Sequence, residues 1–222
     1  MKRALPVLAW LTSLALPVFL IMTAIRLLFT PFFVEWEYQR PNFPPDRYGF
    51  TTADRIKWAG VSLEYLGNDA GIDFLGNQKL DDGSPLYNER ELSHMLDVKI
   101  VLKSMVLAWT ILLTLFAVEA LAGWRWGKLA AFWQAVSRGG WLTIGFVITI
   151  LLAVAISFSW LFTMFHRLFF SGDSWLFAYS DNLIRLFPMQ LWQDAFTWMG
   201  GITLAAGALC WVGGRRLSRH FS

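Results

Sequence analysis

The chain has 222 residues, 56% of them hydrophobic, with a mean hydropathy of +0.46. One soluble core cannot hide that much apolar surface, so an ordinary soluble domain is excluded and lipid must act as part of the solvent. The formal charge of +3 gives no support to nucleic-acid binding, and a lone cysteine, Cys210, excludes an intramolecular disulfide.

Four apolar stretches, 5–29, 100–123, 141–163 and 191–213, each reach the about 20 residues that a membrane-crossing helix needs. The expected fold is therefore an all-α membrane protein with four transmembrane helices, a small extracytoplasmic cap at 30–97 and an outer loop at 164–190, all in one integral-membrane domain. Lys2 and Arg3 open the first stretch as they would a secretory signal. The run is too long for a signal core, and no small-x-small site closes it before Thr30-Pro31, so it reads as a retained anchor. Pro6 and Pro17 suit a membrane helix, where neighbours satisfy freed carbonyls.

Residues 30–97 carry twelve acids against six Lys/Arg, and 68 residues are too many for a featureless loop. Residues 41–45, Pro-Asn-Phe-Pro-Pro, should be extended. Thr51 or Thr52 can cap a helix running to about Leu66, with Gly67 as its stop. The turn-rich 68–85 stretch, with Gly76-Asn77 and Asp82-Gly83, allows a short hairpin. Asn88 followed by Glu91 resembles a capping box, so a helix starts there and continues into the second span.

Residues 124–137 place Trp126, Leu129, Phe132, Trp133 and Val136 on a helical stripe with Arg125 and Lys128 off it, an interfacial amphipathic helix. Arg125, Lys128 and Arg138 in this region, Lys2 and Arg3 before the first span, and Arg215, Arg216 and Arg219 after the last have no acid among them. By the positive-inside rule these segments and both termini are cytoplasmic, which puts the cap and the outer loop outside in a multi-pass cell-membrane protein.

Two of the three histidines, His94 and His166, fall at the outward ends of spans, and histidine is the side chain best suited to proton transfer near neutral pH. Arg90, Glu91, His94 and Asp97 share one helical face, where the carboxylates could orient the imidazole; a solvated helix start with surface ion pairs gives the same pattern. In 165–177 a polar kernel of His166, Arg167, Asp173 and Ser174 is set among aromatics that include Phe169, Phe170 and Trp175. Such a belt is common at membrane interfaces, but the polar kernel is costly there unless used. Arg26, near the outer end of the first span, either faces the site or snorkels to the interface. Glu119 is expected to pair with Arg125 or Lys128, and Cys210 to pack. No nucleophile elbow, zinc-binding His pair, phosphate loop or dinucleotide fingerprint is present. No metal and no cofactor is expected.

Three motifs together, Tyr48-Gly49-Phe50-Thr51-x-x-Asp54-Arg55, Asn88-Glu89-Arg90-Glu91-x-x-His94-Met95-x-Asp97-Val98-Lys99 and Phe165-His166-x-x-Phe169-Phe170-x-Gly172-Asp173-Ser174-Trp175-Leu176-Phe177, resemble the bacterial family of the lipoprotein intramolecular transacylase, Lit. Leu183-Ile184-Arg185-Leu186-Phe187-Pro188 and Trp192-x-Asp194 extend the resemblance over nearly the whole chain. It implies an acyltransferase that moves the sn-2 acyl chain of a diacylglyceryl lipoprotein to the α-amino group of its N-terminal cysteine, giving the lyso form. The family's two catalytic histidines correspond to His94 and His166. Arg90, Glu91, Asp97, Arg167, Asp173 and Ser174 are expected to support them at the extracytoplasmic face, and Arg26, Phe169, Phe170 and Trp175 to hold substrate.

Amine and ester belong to one molecule, so orientation alone can supply effective molarities of about 10⁵–10⁸ M without an acyl-enzyme. His166 is assigned the base, because its aromatic surroundings disfavour the imidazolium, and His94 the polariser of the oxyanion; the reverse assignment stays open. The expected partners are a diacylated lipoprotein and membrane phospholipid, the protein acting as a monomer. The competing reading is a non-catalytic lipid- or lipoprotein-binding accessory protein.

Overall fold

The computed structural model describes residues 4–222; Lys2 and Arg3, on which the predicted orientation of the N-terminus partly rests, lie outside the described residues. The helices in chain order are α1 (Ala4–Leu28), α2 (Pro31–Tyr38), α3 (Thr52–Gly67), α4 (Asp73–Gly76), α5 (Glu89–Arg125), α6 (Leu129–Phe169), α7 (Asn182–Leu186) and α8 (Met189–His220). Helices α1, α5, α6 and α8 are each long and apolar enough to cross a membrane, as the four apolar stretches predict. Two compact units form: one from Leu28–Ser104 and Ser157–Ala195, hereafter the histidine unit, and one from Met105–Ile156, Phe196–Ser222 and the described residues up to Leu27, the helical unit.

In the helical unit, glycines let backbones approach, which is how helices pack where lipid removes the hydrophobic drive. A Cβ on Gly140 would meet the Gly207 carbonyl at 2.5 Å, and one on Gly214 the Trp133 carbonyl at 2.7 Å. Leu16, Leu20, Phe132 and Val136 are buried together. Residues 129–137, expected in a separate interfacial helix, are instead the first turns of α6 and supply half of that cluster. Gly139 and Gly140 do not break the helix, because α1 and α8 crowd against them. The break in α6 comes at Ser157, whose φ of −160° and ψ of 94° are non-helical. Glu119 accepts the Thr12 hydroxyl rather than pairing with Arg125 or Lys128. Cys210 packs beside the cluster as a small hydrophobe.

The histidine unit has its own core, built on Trp58, Tyr65, Leu66, Leu75, Leu86, Tyr87, Met95, Leu183 and Leu186. Helix α3 starts with the predicted cap: Thr51 Oγ1 accepts the Asp54 N–H at 3.1 Å and the Asp54 carboxylate accepts the Thr51 N–H at 2.8 Å. Helix α2 was not anticipated; Thr30 caps it and Pro31 opens it, and Tyr38 at its end donates to the Leu186 carbonyl. The expected hairpin shrinks to one antiparallel bridge, Lys79 with Pro85. Gly83, with φ of +82°, makes the turn, while Gly76-Asn77 ends α4 instead.

Candidate active site

The site is built on two helix ends of the histidine unit. At the start of α5, Asn88 Oδ1 accepts the Glu91 N–H at 3.0 Å and Glu91 Oε2 accepts the Asn88 N–H at 2.8 Å. This is the capping box read from the sequence. Glu91 is almost wholly buried, and its other oxygen accepts the Leu183 N–H of α7 at 2.6 Å. Asn182 adds a second tie by donating to the Leu86 carbonyl at 2.6 Å. Arg185 of α7 reaches back to Asp46 at 3.0 Å and lies 3.7 Å from the centre of the Phe50 ring. These bonds fix the segment that runs from the end of α6 through Phe177 to α7.

His94 stands one turn into α5 and His166 one turn from the end of α6. Their rings are nearly parallel, 21° apart in plane with centres 6.1 Å apart. Aromatic side chains enclose both. Phe170 lies 4.9 Å from His94 and 5.5 Å from His166, so it touches both imidazoles. Phe177 closes on His94 edge-on at 5.4 Å, while Phe162 at 4.1 Å and Trp175 at 5.0 Å cover His166. Trp175 is held by its indole N–H, which donates to the Gly172 carbonyl at 3.1 Å. The two imidazoles are 6% and 8% exposed respectively, which makes this a partly closed aromatic box around two proton-carrying rings.

His166 Nδ1 is 2.8 Å from the Phe162 carbonyl. A carbonyl only accepts, so Nδ1 carries the hydrogen and the free lone pair of a neutral ring is on Nε2. His94 Nδ1 is buried without a hydrogen-bond partner among the described residues. Both histidines lie outside the apolar stretches 100–123 and 141–163.

The residues singled out from sequence divide into groups. His94, His166, Phe170 and Trp175 come together. Glu91 serves the backbone rather than His94, and Asp97 makes no hydrogen bond or ion pair with any described residue, so neither carboxylate holds the imidazole. Arg90 donates to the Leu176 carbonyl at 3.3 Å, bracing the residue before Phe177. Arg167, Phe169 and Asp173 are exposed. Ser174 Oγ is buried without a partner, bonded to neither imidazole. Arg26 belongs to the helical unit, its guanidinium 4.3 Å from the centre of the Trp109 ring. Phe162 and Phe177 were missed as site residues; Phe162 sits four residues before His166, the spacing that stacks side chains on a helix. Among the described residues no cluster of His, Cys, Asp or Glu is arranged to hold a metal.

The chain is 29% identical over 184 residues, 83% of its length and 82% of the relative's, to an uncharacterized protein from Aquifex aeolicus (strain VF5). Its fold matches the in meso structure of the lipoprotein intramolecular transacylase Lit from Bacillus cereus, with a TM-score of 0.81, 21% identity and coverage of 99% of this chain and 98% of that one. A variant of that protein in which one histidine is replaced by arginine matches with a TM-score of 0.74 at 22% identity, covering 99% of this chain and 94% of the other. The family model for the lipoprotein intramolecular transacylase Lit matches residues 10–192. That match takes in both histidines and most of the chain, and the chain belongs to the Lit family.

Proposed function

We propose that His94 and His166 carry out the acyl transfer for which the family is named. Family membership makes the chain a lipoprotein intramolecular transacylase, and its four apolar helices make it a multi-pass membrane protein. The substrate is a lipoprotein whose N-terminal cysteine bears a diacylglyceryl thioether, presented at the extracytoplasmic face. The observation that carries the assignment is the pair of stacked imidazoles inside one aromatic enclosure, with no carboxylate among the described residues hydrogen-bonded to either.

The α-amino nitrogen attacks the sn-2 ester carbonyl, forming the C–N bond. His166 Nε2 takes the proton the nitrogen sheds, since its other nitrogen is committed to Phe162. His94, as a neutral ring, has one N–H to donate to the developing oxyanion. When the tetrahedral intermediate collapses, the C–O bond breaks and the glycerol alkoxide receives the proton from His166. The products are one molecule, an N-acyl cysteine with a free glycerol hydroxyl, so no water, cofactor or acyl-enzyme enters the balance. The aromatic walls exclude the water that would otherwise hydrolyse the ester.

The test is expression of the chain in bacterial cells that lack other lipoprotein N-acylation, followed by tandem mass spectrometry of a lipoprotein N-terminal peptide. The transfer leaves the peptide mass unchanged, so the readout is a fragment series with the acyl chain on nitrogen and an amine that no longer reacts with acylating reagents. A free amine with two O-acyl chains would reject the proposal and favour a binding-only role.

A further inference from the structure

We propose that the helical unit carries a binding site for one anionic glycerophospholipid, separate from the acyl-transfer chemistry, in which Arg138 and Arg215 take the phosphate and three tryptophans the acyl chains. Two open cavities of about 340 Å³ each share Ser137, Arg138 and Trp211 as walls. The rest of one is apolar, lined by Trp10, Trp141 and Leu142. The rest of the other is polar, lined by Gln134, Arg215 and Ser218. An apolar trough joined to a polar one has the shape of an amphiphile.

Charge says which amphiphile. Glu119 is the only acid in the helical unit, and its carboxylate is taken by Thr12. The ion pairs among the described residues leave Arg138 and Arg215 out. Arg138 is held in place: its Nε donates to Ser13 Oγ at 3.4 Å and its guanidinium lies 4.9 Å from the centre of the Trp10 ring. Neither of its Nη groups has a hydrogen-bond acceptor among the described residues, which leaves both free for a bidentate anion. Basic side chains beside membrane helices attract acidic lipid, and pockets of them bind phosphate headgroups. A free phosphate would leave the apolar trough empty, where Trp10 is 55% and Trp141 58% exposed. Trp141 and Trp211 pack at 5.1 Å, and Ser137 fixes this wall by donating to the Trp211 carbonyl at 2.9 Å.

The purified full-length protein is compared by native mass spectrometry and thermal unfolding with phosphatidylglycerol, phosphatidylcholine or inorganic phosphate added. Phosphatidylglycerol should be retained about tenfold better than phosphatidylcholine and should raise the unfolding temperature, while inorganic phosphate should do neither. Arg138→Gln with Arg215→Gln should abolish the preference, and Arg216→Gln with Arg219→Gln, which removes equal charge outside the cavities, should keep it. Equal retention of the two lipids by the wild-type protein overturns the proposal, a comparison that does not depend on any variant folding. So does equal loss in both double variants, which would make the attraction general, or a stabilisation by inorganic phosphate that matches the lipid's.

Discussion

Glu91 Oε1 accepts the Leu183 N–H at 2.6 Å across 92 residues of sequence. One carboxylate thus caps the start of α5 and anchors the start of α7, and the stretch between α6 and α7 that carries Phe177 is held to the helix that carries His94. Glu91→Ala strands the buried Leu183 N–H and removes the acceptor of the more exposed Asn88 N–H, and should cost about 2 kcal/mol. Glu91→Gln has one acceptor oxygen for the two bonds and turns its amide NH2 toward the other N–H, so it should cost at least half as much. Thermal unfolding in detergent measures both, and a Glu91→Ala protein as stable as wild type would remove Glu91 from its positioning role.

His94→Ala or His166→Ala should abolish N-acylation while the protein still inserts into membranes at normal levels. The double variant should be little worse than either single one, because members of one catalytic unit are strongly non-additive. Among the phenylalanines, Phe170 touches both rings whereas Phe169 is exposed. Phe170→Ala should lower transfer about a hundredfold through misplacement, and Phe169→Ala should change it little. Equal effects of the two substitutions would speak against the enclosure as the reacting chamber.

Ser174 is adjacent to the site, but its hydroxyl meets neither imidazole, so no described residue activates it as a nucleophile. Ser174→Ala should keep appreciable activity, and a lipoprotein with a blocked amine should leave no acyl chain on the enzyme. An ester-linked chain found on Ser174 by peptide mass spectrometry would replace direct transfer with a two-step mechanism. Asp173 is exposed and unpaired in its side chain, and Asp173→Asn tests whether it meets substrate rather than protein.

Burial alone would raise the Asp46 carboxyl, but Arg185 and the Phe50 and Tyr48 N–H groups bring it below the usual aspartate value. A depressed folded-state value means that this contribution is complete above the unfolded pKa of about 3.9 and is lost as pH falls through the folded one. Wild type should therefore exceed Asp46→Asn in stability by about 1.5–3 kcal/mol, evenly from pH 8 to pH 5, with the gap closing below about pH 4. A gap that closed at neutral pH would point to a different group.

Orientation is tested in a Cys210→Ser background. A cysteine at the exposed Asp81 should label with impermeant reagent from outside intact cells, and one at Lys128, in the short α5–α6 connection, only after the membrane is opened. Reversed labelling would put the histidines on the cytoplasmic side and defeat the lipoprotein reading.

Much of this architecture is legible in the sequence where the cause is local. The Asn88–Glu91 box and a threonine cap at Thr51 or Thr52 are local signals that announce their helices; the four spans follow from length and hydropathy alone. What is not legible has a distant partner. Glu91 reads as a neighbour of His94 because Leu183, which claims its second oxygen, is remote in sequence. Glu119 reads as a mate for nearby Arg125, but Thr12 of α1 reaches it. The eight residues of α2 are too few to show a period, and the join of 129–137 to the third span in one helix, α6, depends on α1 and α8 packing against Gly139 and Gly140.

His94 lies in α5 with no loop between it and the apolar stretch that begins at residue 100. Its angular phase about the helix axis is therefore set by residue count. Inserting one residue between Lys99 and Ile100 would turn the imidazole by about 100° and shift it about 1.5 Å along the axis relative to the span, whereas an insertion near Gly83 would be absorbed by the turn. His94 therefore tolerates no change of length within α5, whereas the turn at Gly83 absorbs one.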